Sequence, residues 1–331
     1  MNDSTFDKGL HDLGRGGYAW LQPDGGFGLS NAGLIVDSGE CLLVDTLTNL
    51  PLTREMLDGM RAAVPAAQRI GTVVNTHAHP DHTAGNSLLE GAEIIASAAA
   101  AEEMLFIDSP ANPMKNLLAN WQQFGEAGAY MHETMGKFGV HDAAQKMPTR
   151  TFDSELTLTV GNKTVQLLKV GPAHTKGDVA VYIPQDKLVF TGDVLFHQVH
   201  PLLFPGSVDS WVAACDRILA WDVETVVPGH GPVTDKRGVQ GLRDYIVYFR
   251  TEARKRFDAG LGYVEATRDI ALDAFRGWAD EERIFGNVHT FYVEFGAQPL
   301  PMFEVMAESG RYRRLKMAAC AQHGDGCQEA H

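Results

Sequence analysis

With 331 residues, 44% of them apolar and 21% charged, the chain can bury a sizeable core and lacks the composition of a disordered one. A net charge of −14 repels polyanions, so a nucleic-acid substrate is not expected. No apolar run reaches the length of a membrane span and the N-terminus carries no secretory pattern, so the expectation is a cytoplasmic protein with no membrane partner.

Residues 1–17 read as a loosely held arm. Apolar runs at 33–36 and 41–45, separated by Ser38 and Gly39, predict two strands. Met56, Met60 and Val64 recur at helical spacing and predict a helix over 52–64. A buried strand is expected at 71–76, a short helix near 86–89 and another strand at 92–96. An Ala- and Met-rich helical stretch follows over about 97–147, interrupted by Pro110 and Pro113.

Strand patterns then resume. Residues 152–160 and 164–170 form an expected hairpin around Gly161 and Asn162, with further strands at 179–183 and 188–191. An amphipathic helix over 211–221 and a last strand at 224–227 precede a helical extension over 236–307. Residues 308–331 read as a frayed tail, whose basic run 311–316 is a solvated helix face. This alternation implies an α/β fold. Two strand-rich halves around the 97–147 insertion suggest a four-layer αββα sandwich spanning 18–235. Cys41, Cys215, Cys320 and Cys327 include no Cys-x-x-Cys pair, so no disulfide framework is expected.

The densest group of metal-capable side chains is His77, His79, Asp81 and His82, directly after an apolar strand. In extended backbone, residues two apart face the same side, so His77 and His79 can reach one ion together. Pro80 keeps His79 out of helical conformation, and the chain then turns to present Asp81 and His82 in another direction. Imidazole and carboxylate ligands suit zinc, and also iron or manganese.

These residues match the His-x-His-x-Asp-His motif, and the chain resembles the metallo-β-lactamase fold superfamily over about residues 25–235. Gly171–Asp178, with His174, resembles that family's Gly-His-Thr-x-Gly loop. Thr191-Gly-Asp193 resembles its Thr-Gly-Asp motif, Pro228-Gly-His230 its last histidine, and Asp45 its early structural aspartate. The resemblance implies one metal held by His77, His79 and His174, a second held by Asp81, His82 and His230, and Asp193 bridging both. Aspartate at the bridge is similar to the glyoxalase II, lactonase and general hydrolase branches rather than to the zinc β-lactamases.

The implied chemistry is attack of a metal-bound hydroxide on an ester, thioester, lactone or amide of a small organic molecule, with Asp81 orienting the nucleophile. Two other activities within the superfamily are a hydrolytic dehalogenase of an activated aromatic, as in chlorothalonil dehalogenase, and a mononuclear iron persulfide dioxygenase. The complete second ligand set argues against the latter.

His197 and His200, shortly after Asp193, are candidates to face substrate as a hydrogen-bond donor or proton relay, with a structural role as the competing reading. Tyr18, Trp20 and Phe27 are candidates for the pocket wall or for core packing. The insertion is a candidate lid or dimerisation element, leaving a homodimer open. Its His132 and His141 are read as ordinary polar contacts in preference to a second metal site, and His289 as structural.

Overall fold

A computed structural model describes residues 6–23, 27–139, 145–204 and 208–323. Two mixed sheets pack face to face with helices outside. The first sheet runs in sequence order through β1 (Gly9–Gly14), β2 (Gly17–Leu21), β3 (Ala32–Asp37), β4 (Glu40–Val44), β5 (Thr72–Val74), β6 (Glu93–Ser97) and β7 (Arg150–Phe152). Its first four strands are antiparallel neighbours, and β4 to β7 are parallel. The second sheet has the order β12-β11-β10-β9-β8, with β8 (Glu155–Val160), β9 (Lys163–Lys169), β10 (Val179–Ile183), β11 (Leu188–Phe190) and β12 (Thr225–Val227). Only its β11–β12 pair is parallel.

Alternation along the strands sets the layers. Ile35, Leu42, Val44, Val74 and Ile95 of the first sheet meet Val165, Leu167, Val179, Val181 and Phe190 of the second in the inter-sheet core. The opposite face of the first sheet is covered by α1 (Leu50–Ala63) through Met56, Leu57 and Met60. Asn49 caps that helix, accepting from the Leu52 amide at 2.9 Å, and an N-cap of this kind contributes about 1 kcal/mol. The far face of the second sheet is covered by α6 (Val208–Ala220) and α7 (Lys236–Asp258), which bring Trp211, Ile218, Leu242 and Ile246 onto Val189 and Val226.

A four-residue helix, α2 (Pro80–Thr83), lies between β5 and β6. The insertion contains α3 (Ala98–Asp108), α4 (Pro113–Ala119) and α5 (Gly125–Met135). The C-terminal extension continues beyond α7 with α8 (Tyr263–Asp269), α9 (Ile284–Glu294) and α10 (Met302–His323).

Four expectations are corrected. Residues 9–14 are a paired strand, not a loose arm, with Leu10 opposite Trp20 and an Arg15 turn at φ 53°. The tail boundary at 308 falls inside α10, whose residues Ala307, Ser309 and Gly310 are buried against α5. A Cβ on Gly310 would stand 2.8 Å from Tyr130 Cβ, so glycine permits this close crossing. The basic run is also paired: Arg313 with Glu282 at 2.7 Å, Lys316 with Glu281 at 2.6 Å, and Arg314 with Glu126 and Glu133. Finally, Cys320 is disulfide-bonded, whereas Cys41 and Cys215 are free and buried.

Candidate metal centre

The parallel strands deliver the site. Immediately past the C-terminal end of β5, the backbone places His77 and His79, and α2 then carries Asp81 and His82. His79 is the residue before α2, extended at φ −68° and ψ 146°, as Pro80 requires. Asp193 lies in the tight turn after β11, and His230 follows β12 through Pro228 and Gly229. His174 comes from the loop between β9 and β10. Loops at strand C-termini are the usual place for a site in such sheets.

All seven sequence-predicted ligands converge. His77, His79, His174 and Asp193 form one group, and Asp81, His82, Asp193 and His230 the other, with the ligand atoms of each within 4.8 Å of one another. Asp193 belongs to both. Its Oδ2 lies 3.7 Å from His77 Nε2, 3.3 Å from His174 Nε2 and 3.3 Å from His230 Nε2, while Oδ1 lies 3.1 Å from His82 Nε2. Asp81 Oδ2 is 3.4 Å from His230 Nε2. His79 presents Nδ1, 3.0 Å from His174 Nε2.

These residues fit a metal pair. Two ligand atoms each about 2.1 Å from one ion at the tetrahedral angle stand about 3.4 Å apart, matching the observed separations. His77 Nε2, His82 Nε2 and Asp193 Oδ1 are buried without a hydrogen-bond partner, an expensive arrangement unless a cation occupies the space between them.

Four of the five ligand histidines have a partner on the outer ring nitrogen. His82 Nδ1 meets Asp45 Oδ2 at 2.8 Å, and the same carboxylate accepts from the Thr76 amide and hydroxyl, both at 2.7 Å. His77 Nδ1 is 3.1 Å from the Thr76 hydroxyl. His174 Nδ1 and His230 Nδ1 meet the carbonyls of Leu202 and Leu29 at 3.1 and 3.2 Å. Such partners fix the tautomer that offers a lone pair to the ion.

Sequence reasoning missed several supports that act across long separations. Asn31 Nδ2 donates to the carbonyls of Pro228 and Gly231 at 3.0 and 2.8 Å, clasping the turn that bears His230. Asn75 and Asn86 pair their amides, and Asn75 also donates to the His82 carbonyl at 3.1 Å. Asp178 accepts from Ala173 and Thr175, bracing His174 on both sides. Two glycines make room: a Cβ on Gly229 would stand 2.0 Å from Asp193 Oδ1, and one on Gly192, itself at φ +50°, 2.4 Å from Thr76 Oγ1.

Other candidates lie elsewhere. His200 is fully buried among Tyr245, Phe249 and Trp278, its Nδ1 3.0 Å from the Tyr245 hydroxyl, and burial with nearby Arg283 holds its pKa down to about 3. The ring of His197 packs where α7 begins, beside Gly238. Neither belongs to the two ligand groups. His132 stacks on Trp121 at 4.1 Å and is in neither group, and His141 lies outside the described residues. Trp20 is core under α1, with Tyr18 packed partly buried against the same cluster. Phe27 packs on Tyr130 of the insertion at 5.9 Å, and His289 accepts from the Leu300 amide. Phe204 differs: it is 42% exposed and its ring lies 5.6 Å from that of His174, so it can offer an apolar wall beside the centre.

Electrostatics show what the site demands. Burial lowers His77, reinforced by the charge of His82, and takes His174 down to about 3. For His230, burial pulls downward but Asp193 and Asp81 outweigh it, raising the group to about 9, and His82 rises for the same reason. Asp81 and Asp193 are therefore held ionised and call for positive charge, which protons supply when metal does not. A metal entering at His230 must displace a proton at neutral pH. Each proton displaced, from His230 and from His82, should lower the apparent affinity of that site about tenfold per unit as pH drops below the raised values. Chelator competition between about pH 6 and about pH 8 measures this, and a flat profile would contradict it.

The sequence profile described as the metallo-beta-lactamase superfamily matches residues 25–230. The linear primary-alkylsulfatase of a Pseudomonas strain is 26% identical over 257 residues, covering 70% of this chain and 48% of that protein. The 2,4-dinitroanisole O-demethylase subunit alpha of a Nocardioides strain is 25% identical over 285 residues, covering 86% of this chain and 70% of that one. Among solved structures, the stereoselective inverting sec-alkylsulfatase Pisa1 from Pseudomonas superposes with a TM-score of 0.64 at 17% identity, over 89% of this chain and 52% of its own. That likeness shows the fold, and this chain spans about half the length of the two alkylsulfatases.

Proposed function

We propose that this chain, which belongs to the metallo-β-lactamase superfamily, is a two-zinc hydrolase of small organic esters or of the related thioesters, lactones and amides. One observation carries the reading: seven ligands converge in two groups that share Asp193. When bound, the metal pair supplies a water acidified to react at neutral pH and a positive field for the oxyanion that develops on the substrate.

The chain's own groups supply the rest. His77, His82, His174, Asp193 and His230 are at most about 4% exposed, whereas the side chain of Asp81 is 15% exposed. Asp81 thus stands at the open edge, where its carboxylate can orient a water and accept its proton. Phe204, partly exposed beside the His174 ring, offers a surface for the apolar part of a substrate. His200, neutral and enclosed, supports the wall rather than transferring protons, and His197 anchors the turn by donating its amide to the His230 carbonyl at 3.0 Å.

The alkylsulfatase relative adds sulfate esters to the substrates to be tried, and the dinitroanisole relative adds activated aromatic ethers. Zinc-loaded protein would be screened against thioesters, lactones, alkyl sulfates, β-lactams and activated aromatic ethers and halides, with a metal-stripped control. We expect turnover of an ester-type member that vanishes on stripping and is lost in Asp81→Asn. Oxygen uptake by protein holding one iron would sink the hydrolase reading.

A further inference from the structure

The C-terminal extension contributes one polar face where its neighbours are apolar. Arg283, Asn287 and Thr290 recur at i, i+4 and i+7 at the start of α9 and along it, so they share one face. Each is at most 2% exposed. Burying three polar side chains is costly unless each is satisfied, so their partners are informative.

The partners lie in one stretch of chain. Arg283 Nη1 donates to the His200 carbonyl at 3.0 Å. Asn287 Nδ2 donates to the Pro201 carbonyl at 3.0 Å, and its Oδ1 accepts from the Leu203 amide at 3.0 Å. Thr290 Oγ1 donates to the Leu203 carbonyl at 3.0 Å. Upstream, Ala279 exchanges backbone hydrogen bonds with Gln198 and His200. The amide of Asn287 also meets the Tyr245 hydroxyl, which holds His200 Nδ1.

Between the clamped residues lies Leu202, whose carbonyl is the partner of His174 Nδ1 at 3.1 Å. Immediately after them comes Phe204, beside the same imidazole. We infer that the Arg283–Asn287–Thr290 face is a positioning device for the metal held by His77, His79 and His174, acting through Leu202 to fix the tautomer and orientation of His174. The extension lies beyond the residues matched by the family profile, yet it completes this half of the centre. The proposal rests on the metal centre and is independent of which substrate is turned over.

The test uses the full chain and reads metal binding, not activity. Cobalt(II) is titrated into metal-stripped protein, and absorption spectra distinguish the three-histidine site from the site with Asp81. Asn287→Ala and Thr290→Val should each weaken the first site by up to about 10-fold, the low end of the range for losing a direct partner of a ligating histidine, because the Leu202 carbonyl is loosened rather than removed. The second site should change less than about threefold, and Thr290→Ser should restore the first. Should Asn287→Ala fail to fold, the Thr290 pair decides alone. Unchanged affinity at both sites, or a parallel loss at both, would overturn the proposal, because general loosening of the scaffold predicts no selectivity.

Discussion

Replacing Asp193 with alanine should lower turnover of the substrate found by the screen by about 10³-fold or more, and should cut bound zinc from two per chain to one or none. Four histidines stand within 3.1–3.7 Å of its two oxygens, contributed by the turns after β5, β9 and β12 and by α2. Among the described residues no other side chain belongs to both ligand groups. Losing it removes a ligand from each metal and the charge that raises His82 and His230.

The metal-free protein should lose stability too. There Asp193 is the buried charge partner of protonated His82 and His230, so its removal should lower the metal-free melting temperature as well. What disappears is the rise in melting temperature on adding zinc. Inductively coupled plasma mass spectrometry and calorimetry read these separately. Two retained zincs with turnover within about tenfold of the parent would refute the bridging role.

The ligand set was legible because its chemistry is local. Four of the seven ligands fall within six residues after one strand, and the others each follow a strand end. Which ring nitrogen faces the metal was not legible: His79, extended just before Pro80, uses Nδ1, whereas His77 uses Nε2. The supports were hidden for a different reason. Asn31 clasps a turn about 200 residues away, and Asn287 holds Leu203 across 84, separations for which no periodicity gives a signal.

The fold follows the same division. The amphipathic α1 and α6 and the strands of the two sheets follow from spacing. The tail boundary failed because α10 packs through Ala307, Ser309 and Gly310, small residues that make a close crossing without an apolar stripe. The sequence leaves His200 open between a substrate-facing and a structural place, and packing turns its ring toward the Tyr245 hydroxyl, away from the two ligand groups. Chain proximity sets where a backbone goes, and packing sets where a side chain points.

Asp45→Asn should be the most informative change outside the ligands. Asp45 is 2% exposed at φ 62°, a backbone region that asparagine also tolerates, so the variant alters charge with little change in shape. The native carboxylate accepts three hydrogen bonds, from the Thr76 amide, the Thr76 hydroxyl and His82 Nδ1. Asparagine can keep an acceptor at only one oxygen, and its amide NH2 then confronts a donor. If that donor is the imidazole Nδ1–H, His82 must move its proton to Nε2, the atom that faces the metal. The variant should therefore lose about 10- to 100-fold in affinity at the Asp81–His82–His230 site, with a smaller effect at the three-histidine site. One buried donor left unpaired should also cost about 1–3 kcal/mol of folding stability, with zinc or without it. Denaturant unfolding of the metal-free form reads that cost, and cobalt titration reads the site. If Asp45→Asn binds both metals as tightly as the parent, Asp45 holds only the Thr76 turn and its hydrogen bond to His82 is incidental.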